Sequence, residues 1–225
     1  MGQAIGDILS LAIGVAISPV PIIALILMLI TPKAKTNGTA FAFGWVLGLC
    51  VVGFGGLLIA NAADLSTGQS AETGVAWGKV VLGVLFLWLA LKQWRARPKA
   101  GEEAAMPAWM GAIDAFTAGK ALGLGAALSG VNPKNLILTL SAAATVAEVP
   151  DLSGAERAVS MLVFIVIASL TVLAPLVVYL AMGAKAEEIL SGWKAWLSLH
   201  DSAIMFVLFL VFGMVLIGKG MGVLS

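Results

Sequence analysis

Apolar residues run along this chain in stretches long enough to cross a membrane, and polar residues gather between them. A membrane helix needs about 20 mostly apolar residues. Six stretches qualify, roughly 4–30, 40–61, 76–94, 119–145, 158–181 and 202–222. If fully helical, the first and fourth would each reach about 40 Å, against a hydrocarbon core of about 30 Å. Both are interrupted, one at Ser18-Pro-Val-Pro21 and the other at Asn132-Pro-Lys-Asn135. A broken helix explains the length and the interruption together.

Composition agrees. The 225 residues are 60% hydrophobic and 11% charged, with a mean hydropathy of +1.05. A soluble domain is normally about a quarter charged, so lipid is the expected solvent. The net charge of +1 offers no basic face for nucleic acid. Cys50 is the only cysteine and His200 the only histidine, which leaves no internal disulfide, no CxxC pair and no transition-metal ligand set. No cofactor is expected. Residues 1–30 carry no Lys or Arg, so no signal-peptide n-region is present, and the first stretch is expected to stay as a span.

The charges between spans set a topology. Lys33 and Lys35 follow the first span. Lys92, Arg95, Arg97 and Lys99 surround the third connection, and Lys185 and Lys194 lie near the fifth. The positive-inside rule then makes connections one, three and five cytoplasmic and both termini extracytoplasmic, with Lys79, Arg157 and Lys219 as exceptions. Three regions follow: a three-helix unit over 1–94, a cytoplasmic linker over 95–118, and a second three-helix unit over 119–225. In the linker, Trp109, Met110, Ile113 and Phe116 share a helical face, as in an interfacial helix; an extension of span four fits the pattern as well.

Ala16-Ile-Ser-Pro-Val-Pro21 resembles Ala127-Leu-Ser-Gly-Val-Asn-Pro133 at an offset of 129 − 18 = 111. Two units of three spans each must enter the membrane oppositely. The expected fold is therefore an all-α membrane protein of six transmembrane helices, arranged as two inverted three-helix repeats with helices 1 and 4 broken at proline motifs. Proline removes its own N–H and collides with the carbonyl four residues earlier, so Pro19, Pro21 and Pro133 disrupt the ladder at Val15, Ile17 and Ser129. Ser18 before Pro19 and Asn132 before Pro133 also read as helix starts. Helix N-termini attract anions, and Lys134 adds a full positive charge. Ser18, Pro19, Pro21, Ser129, Asn132, Pro133, Lys134 and Asn135 are thus the candidate substrate-binding residues, for a carboxylate or phosphate. On this reading, Lys134→Ala or Lys134→Glu abolishes transport and leaves the fold intact. The bland alternative is that the prolines are kinks and that Lys134 pairs with backbone carbonyls.

Other features read as packing. Thr171 can satisfy the backbone freed by Pro175. Gly44 and Gly48 form a small-xxx-small pair, with Gly119, Gly123 and Gly125 in a similar role. No Asp or Glu lies mid-span, so coupling through a buried carboxylate is not expected. An enzyme is not expected either, for want of a paired carboxylate, a Ser/His arrangement or a metal set.

Ser18-Pro-Val-Pro-Ile-Ile-Ala with Thr31-Pro-Lys-Ala, and Trp109-Met-x-x-Ile-Asp with Val131-Asn-Pro-Lys-Asn-Leu, resemble the glycolipid-addressing protein (GAP) family of the lysine-exporter (LysE) superfamily. The resemblance covers nearly the whole chain. It implies a six-span plasma-membrane protein of inverted repeats that moves glycolipids or other envelope lipids outward. The implied partners are a membrane lipid or glycolipid substrate, with a homodimer or a larger export machinery as candidate assemblies and no nucleic acid. An amino-acid or small-metabolite exporter shares the architecture, and an accessory subunit of a lipid-export complex is the other alternative. A sister branch of the superfamily moves electrons through membrane cysteines, which a single Cys50 does not support.

Overall fold

A computed structural model describes residues 1–64, 69–97 and 108–224, and these contain eight α-helices, two short 3-10 helices and no strand. Residues 98–107 of the expected linker, including Lys99 and Pro107, lie outside the described residues. In chain order the α-helices are α1 (Gly2–Ala16), α2 (Pro19–Leu29), α3 (Ala34–Asp64), α4 (Gln69–Arg95), α5 (Ala118–Gly130), α6 (Pro133–Glu148), α7 (Gly154–Met182) and α8 (Ala186–Leu224).

Four segments are long and apolar enough to cross a membrane: Ala34–Ala62, Ala76–Arg95, Gly154–Met182 and Ala186–Gly222. The pair α1 and α2, bent by 50° at its break, passes the same test when taken together and has the form of a broken span or a re-entrant loop. The protein is thus an all-helical, multi-pass membrane protein. The expected fourth span is split into helices of 13 and 16 residues, each shorter than a crossing, and is not in this set. The last expected span starts far too late at 202. Helix α8 begins at Ala186, so Lys194 lies on a helix and not in a loop.

Two compact units divide the chain, one formed by Met1–Ala62 with Met106–Trp196 and the other by Ala63–Ala105 with Leu197–Ser225. The first unit is built around α1 and α2. Helix α1 packs against α6 and α7, and α2 packs against α7 and a 3-10 helix at Ala108–Ala115. That 3-10 helix is a separate element and not an extension of α5. Its period of three puts Met110 and Ile113 on one side, and both are buried.

Glycine lets α3 approach α5 closely. A Cβ on Gly44 would strike the Leu122 backbone, and one on Gly125 would strike Phe41 O. Gly48 lies against Ser129 Oγ and the Ala126 backbone. This confirms the packing reading for those three; Gly119 and Gly123 face open space. In the second unit α4 and α8 cross with similar intimacy, Gly83 against Gly213 and Ala76 against Gly220, with Phe86 edge-on to Phe209 at 5.4 Å.

Candidate functional site

Both proline motifs break their helices. Helix α1 stops at Ala16 and α2 starts at Pro19; α5 stops at Gly130 and α6 starts at Pro133. The two breaks are related by 133 − 19 = 114 residues and not by 111. The helix starts thus lie three residues off the spacing at which the two sequences match. At the structural offset, Lys134 and Asn135 stand where the first break has Val20 and Pro21.

Within the first unit the two breaks meet. Lys134, 3% exposed, donates from Nζ to Gly14 O at 2.7 Å, Ile17 O at 2.8 Å and Ser18 Oγ at 2.8 Å. An ammonium has three donors, and this geometry supplies an acceptor for each. Ser18 Oγ in turn lies 2.7 Å from Val15 O and 3.2 Å from Asn135 Oδ1, and its single hydrogen serves the nearer carbonyl. Asn135 is fully buried and donates from Nδ2 to Leu128 O at 2.9 Å.

These bonds account for the backbone that the prolines strip. The last carbonyls of a helix lack partners within it, and in hydrocarbon each unpaired one costs several kcal/mol. Here Ile13 O accepts from Ile17 N–H, and Ala16 O from Ser18 N–H and the Thr171 hydroxyl. Val15 O and Ile17 O, the carbonyls that Pro19 and Pro21 free, go to Ser18 Oγ and Lys134 Nζ. Lys134 Nζ also takes Gly14 O. The end of α1 carries about half a negative charge, which the lysine faces.

The expected N-caps divide. Asn132 Oδ1 accepts from Lys134 N–H at 3.1 Å and caps α6 as its sequence suggests. Ser18 makes no side-chain cap on α2. The reason is local: Pro19 and Pro21 have no N–H, so Val20 holds the only one among the first three residues of α2. Ser18 turns back to α1 instead.

Of the other candidates, Pro19 and Pro21 are buried beside the cluster while Pro133 is exposed. Ser129 is buried but bonds Ala126 O at 3.1 Å. Thr171 does not serve its own helix; its hydroxyl crosses to Ala16 O, and α7 continues through Pro175. Sequence reasoning missed this residue and Gly14 as parts of the cluster. Nothing in a lone threonine or a backbone carbonyl points to a contact more than a hundred residues away. Thr139 Oγ1, one turn beyond Asn135 on α6, is buried without a hydrogen-bond partner. Among the described residues, no group of three or more His, Cys, Asp or Glu lies together as a metal site would require.

The family model described as Sap, sulfolipid-1-addressing protein, matches residues 8–222. The chain belongs to the Sap family. The match spans both breaks and every residue of the cluster, which gives the resemblance seen in the motifs its family. Sap membership points to a role in addressing or exporting lipid or glycolipid. Comparison with curated proteins and with solved structures gives no match.

Proposed function

We propose that this Sap-family protein exports or flips an anionic lipid or glycolipid of the cell envelope, and that the two broken helices form its head-group site. In this reading the chain crosses the plasma membrane six times as two inverted three-helix repeats of the lysine-exporter type. Helices α5 and α6 together make the fourth of these crossings, and both termini are outside. The observation that carries the proposal is the buried Lys134, bonded to Gly14 O and Ile17 O at the end of the other broken helix. A buried lysine in a membrane protein is costly and marks a working site by default.

The bonding pattern refines how such a site works. An anionic head group must compete for Lys134 with neutral carbonyls. The lysine's bonds to those carbonyls are already charge-assisted, but a phosphate, sulfate or carboxylate adds the attraction of a full opposite charge. Arrival of the anion therefore draws Lys134 off α1 and frees that half-helix to tilt. Departure of the anion restores the carbonyl bonds. Binding and movement are coupled through one ammonium, without a mid-span carboxylate.

The test is reconstitution of the purified protein into liposomes that carry a labelled anionic glycolipid, with outer-leaflet appearance as the readout. Wild type moves the lipid. Lys134→Arg, which keeps charge and donors, retains part of the rate, and the isosteric, neutral Lys134→Met loses it. Wild-type rates from well-folded Lys134→Met would sink the head-group role. Export of labelled amino acids in place of lipid would instead identify a small-metabolite exporter. Transport of neither would identify an accessory subunit.

A further inference from the structure

A second feature lies in the other unit, on an exposed face of α4. Trp88, Leu91, Lys92 and Arg95 line a cleft of about 270 Å³. They fall at i, i+3, i+4 and i+7, so one helix face supplies them all. Below the cleft the face continues as Val84 and Val81. Val81, Val84, Trp88 and Leu91 are 63%, 56%, 57% and 47% exposed, which in a membrane protein is contact with lipid. The face is apolar from Val81 to Leu91 and then basic. Lys92 Nζ sits 5.6 Å from the Trp88 ring centroid, and Arg97 lies over Trp94 at 3.6 Å. Among the described residues no carboxylate pairs with Lys92 or Arg95.

The dimensions match one lipid. Val81 to Leu91 spans about 15 Å along the helix, half of the roughly 30 Å hydrocarbon core. Arg95 lies about 6 Å further, at head-group depth. Two cations close a stripe as long as one leaflet's acyl chains, with an indole at the boundary between them. The C-terminal end of α4 opposes an anion with about half a charge, and two full charges outweigh it.

We propose that this cleft holds a resident anionic glycerophospholipid, its phosphate between Lys92 and Arg95 and an acyl chain along Leu91, Trp88, Val84 and Val81. A resident lipid, and not a transported one, is the occupant because the face is open to the bilayer. There, bulk phospholipid outnumbers any cargo.

Quenching of protein fluorescence by dibrominated lipids tests it, with Trp88→Phe used to isolate the Trp88 signal. Dibrominated phosphatidylglycerol should quench Trp88 at several-fold lower mole fraction than dibrominated phosphatidylcholine, since each basic residue favours an anionic lipid several-fold. High salt should shrink the preference. The double variant Lys92→Ser/Arg95→Ser should lose it, and Lys92→Arg/Arg95→Lys should keep it, with thermal melting in detergent showing that both are folded. Equal quenching by the two lipids in wild type overturns the proposal. So does a preference that survives in a folded double variant. Displacement of the brominated phospholipid by an equimolar anionic glycolipid overturns the resident assignment and makes the cleft a cargo site.

Discussion

The two helix breaks have similar sequences and opposite economies of hydrogen bonding. The second is largely self-sufficient: Asn132 caps α6, Asn135 takes up Leu128 O, and Val131 and Asn132 both donate N–H to Ala127 O. The first has Val20 and Pro21 where the second has Lys134 and Asn135, and so has no side-chain donor after its proline. It borrows Lys134 from α6 and Thr171 from α7. For side-chain donors the dependence runs one way, although the acceptors of Lys134 all lie at the first break. A change at the second break should therefore damage the first, while a change confined to α1 and α2 should leave the cap of α6 in place.

The largest test of that asymmetry is the charge of Lys134. Lys134→Glu sets a carboxylate against Gly14 O, Ile17 O and the negative end of α1, with no donor left for either carbonyl. A loss of about 4 kcal/mol or more is expected, since an uncompensated buried charge costs that much. The variant should fail to accumulate as a monodisperse species in detergent. Lys134→Met orphans the same carbonyls but also removes the desolvation cost of an ammonium, and the two partly cancel. A net loss of about 2 kcal/mol is expected, or roughly 4–8 °C in melting temperature for a chain of this size. Equal stability of the Met and Glu variants would show that the lysine does not hold α1 by charge.

Asn135→Ala comes next. It deletes the donor to Leu128 O and the acceptor beside Ser18, both in a fully buried position. A buried carbonyl left unsatisfied costs about 1–3 kcal/mol, so a fall of about 2–12 °C is expected. Asn132→Ala should cost less, about 1 kcal/mol, as for an ordinary N-cap. Because Asn132 is only half-buried, water or head groups can reach the freed N–H. Reversal of that order would mean that the second break leans on its cap more than on Asn135.

Much of this was legible in the sequence, and the reasons differ from residue to residue. The breaks at Ser18-Pro19 and Asn132-Pro133 follow from the chemistry of proline, which acts within four residues, so Val15 and Ile17 were identified as the disturbed carbonyls. What relieves them was legible only in part: pairing of Lys134 with backbone carbonyls was one of two readings of its motif, and it is the one seen, with Gly14 O and Ile17 O as the carbonyls. Ser18 has the form of an N-cap, and only the missing N–H groups of two prolines turn its hydroxyl backward. Thr171 was assigned to Pro175 by the same local rule, yet a packed neighbour offered Ala16 O instead. The positive charge of Lys134 suggested an anion, whereas the folded chain places neutral carbonyls around it. A substitution to Glu, harmless to the fold if the lysine only awaits a ligand, becomes the most damaging change once the lysine caps a helix. Helix limits failed where composition and helicity part: α8 carries charges at Glu187, Glu188 and Lys194 and remains helical through them.

The smallest expected effect has the opposite sign. At the structural offset, Thr139 in α6 corresponds to Leu25 in α2; both are fully buried. The first break thus has an aliphatic side chain where the second has a hydroxyl, and that hydroxyl has no partner. A buried donor without an acceptor forfeits its desolvation energy, about 1–3 kcal/mol, whereas an apolar group of the same shape does not. Val matches Thr in shape and branching. Thr139→Val should therefore raise the melting temperature by a few degrees, in a region where Asn135→Ala, one turn away, lowers it. A drop after Thr139→Val would show that the hydroxyl is bonded in the membrane, to water or to a ligand that enters beside Lys134. It would then have to be counted with the site and not with the packing.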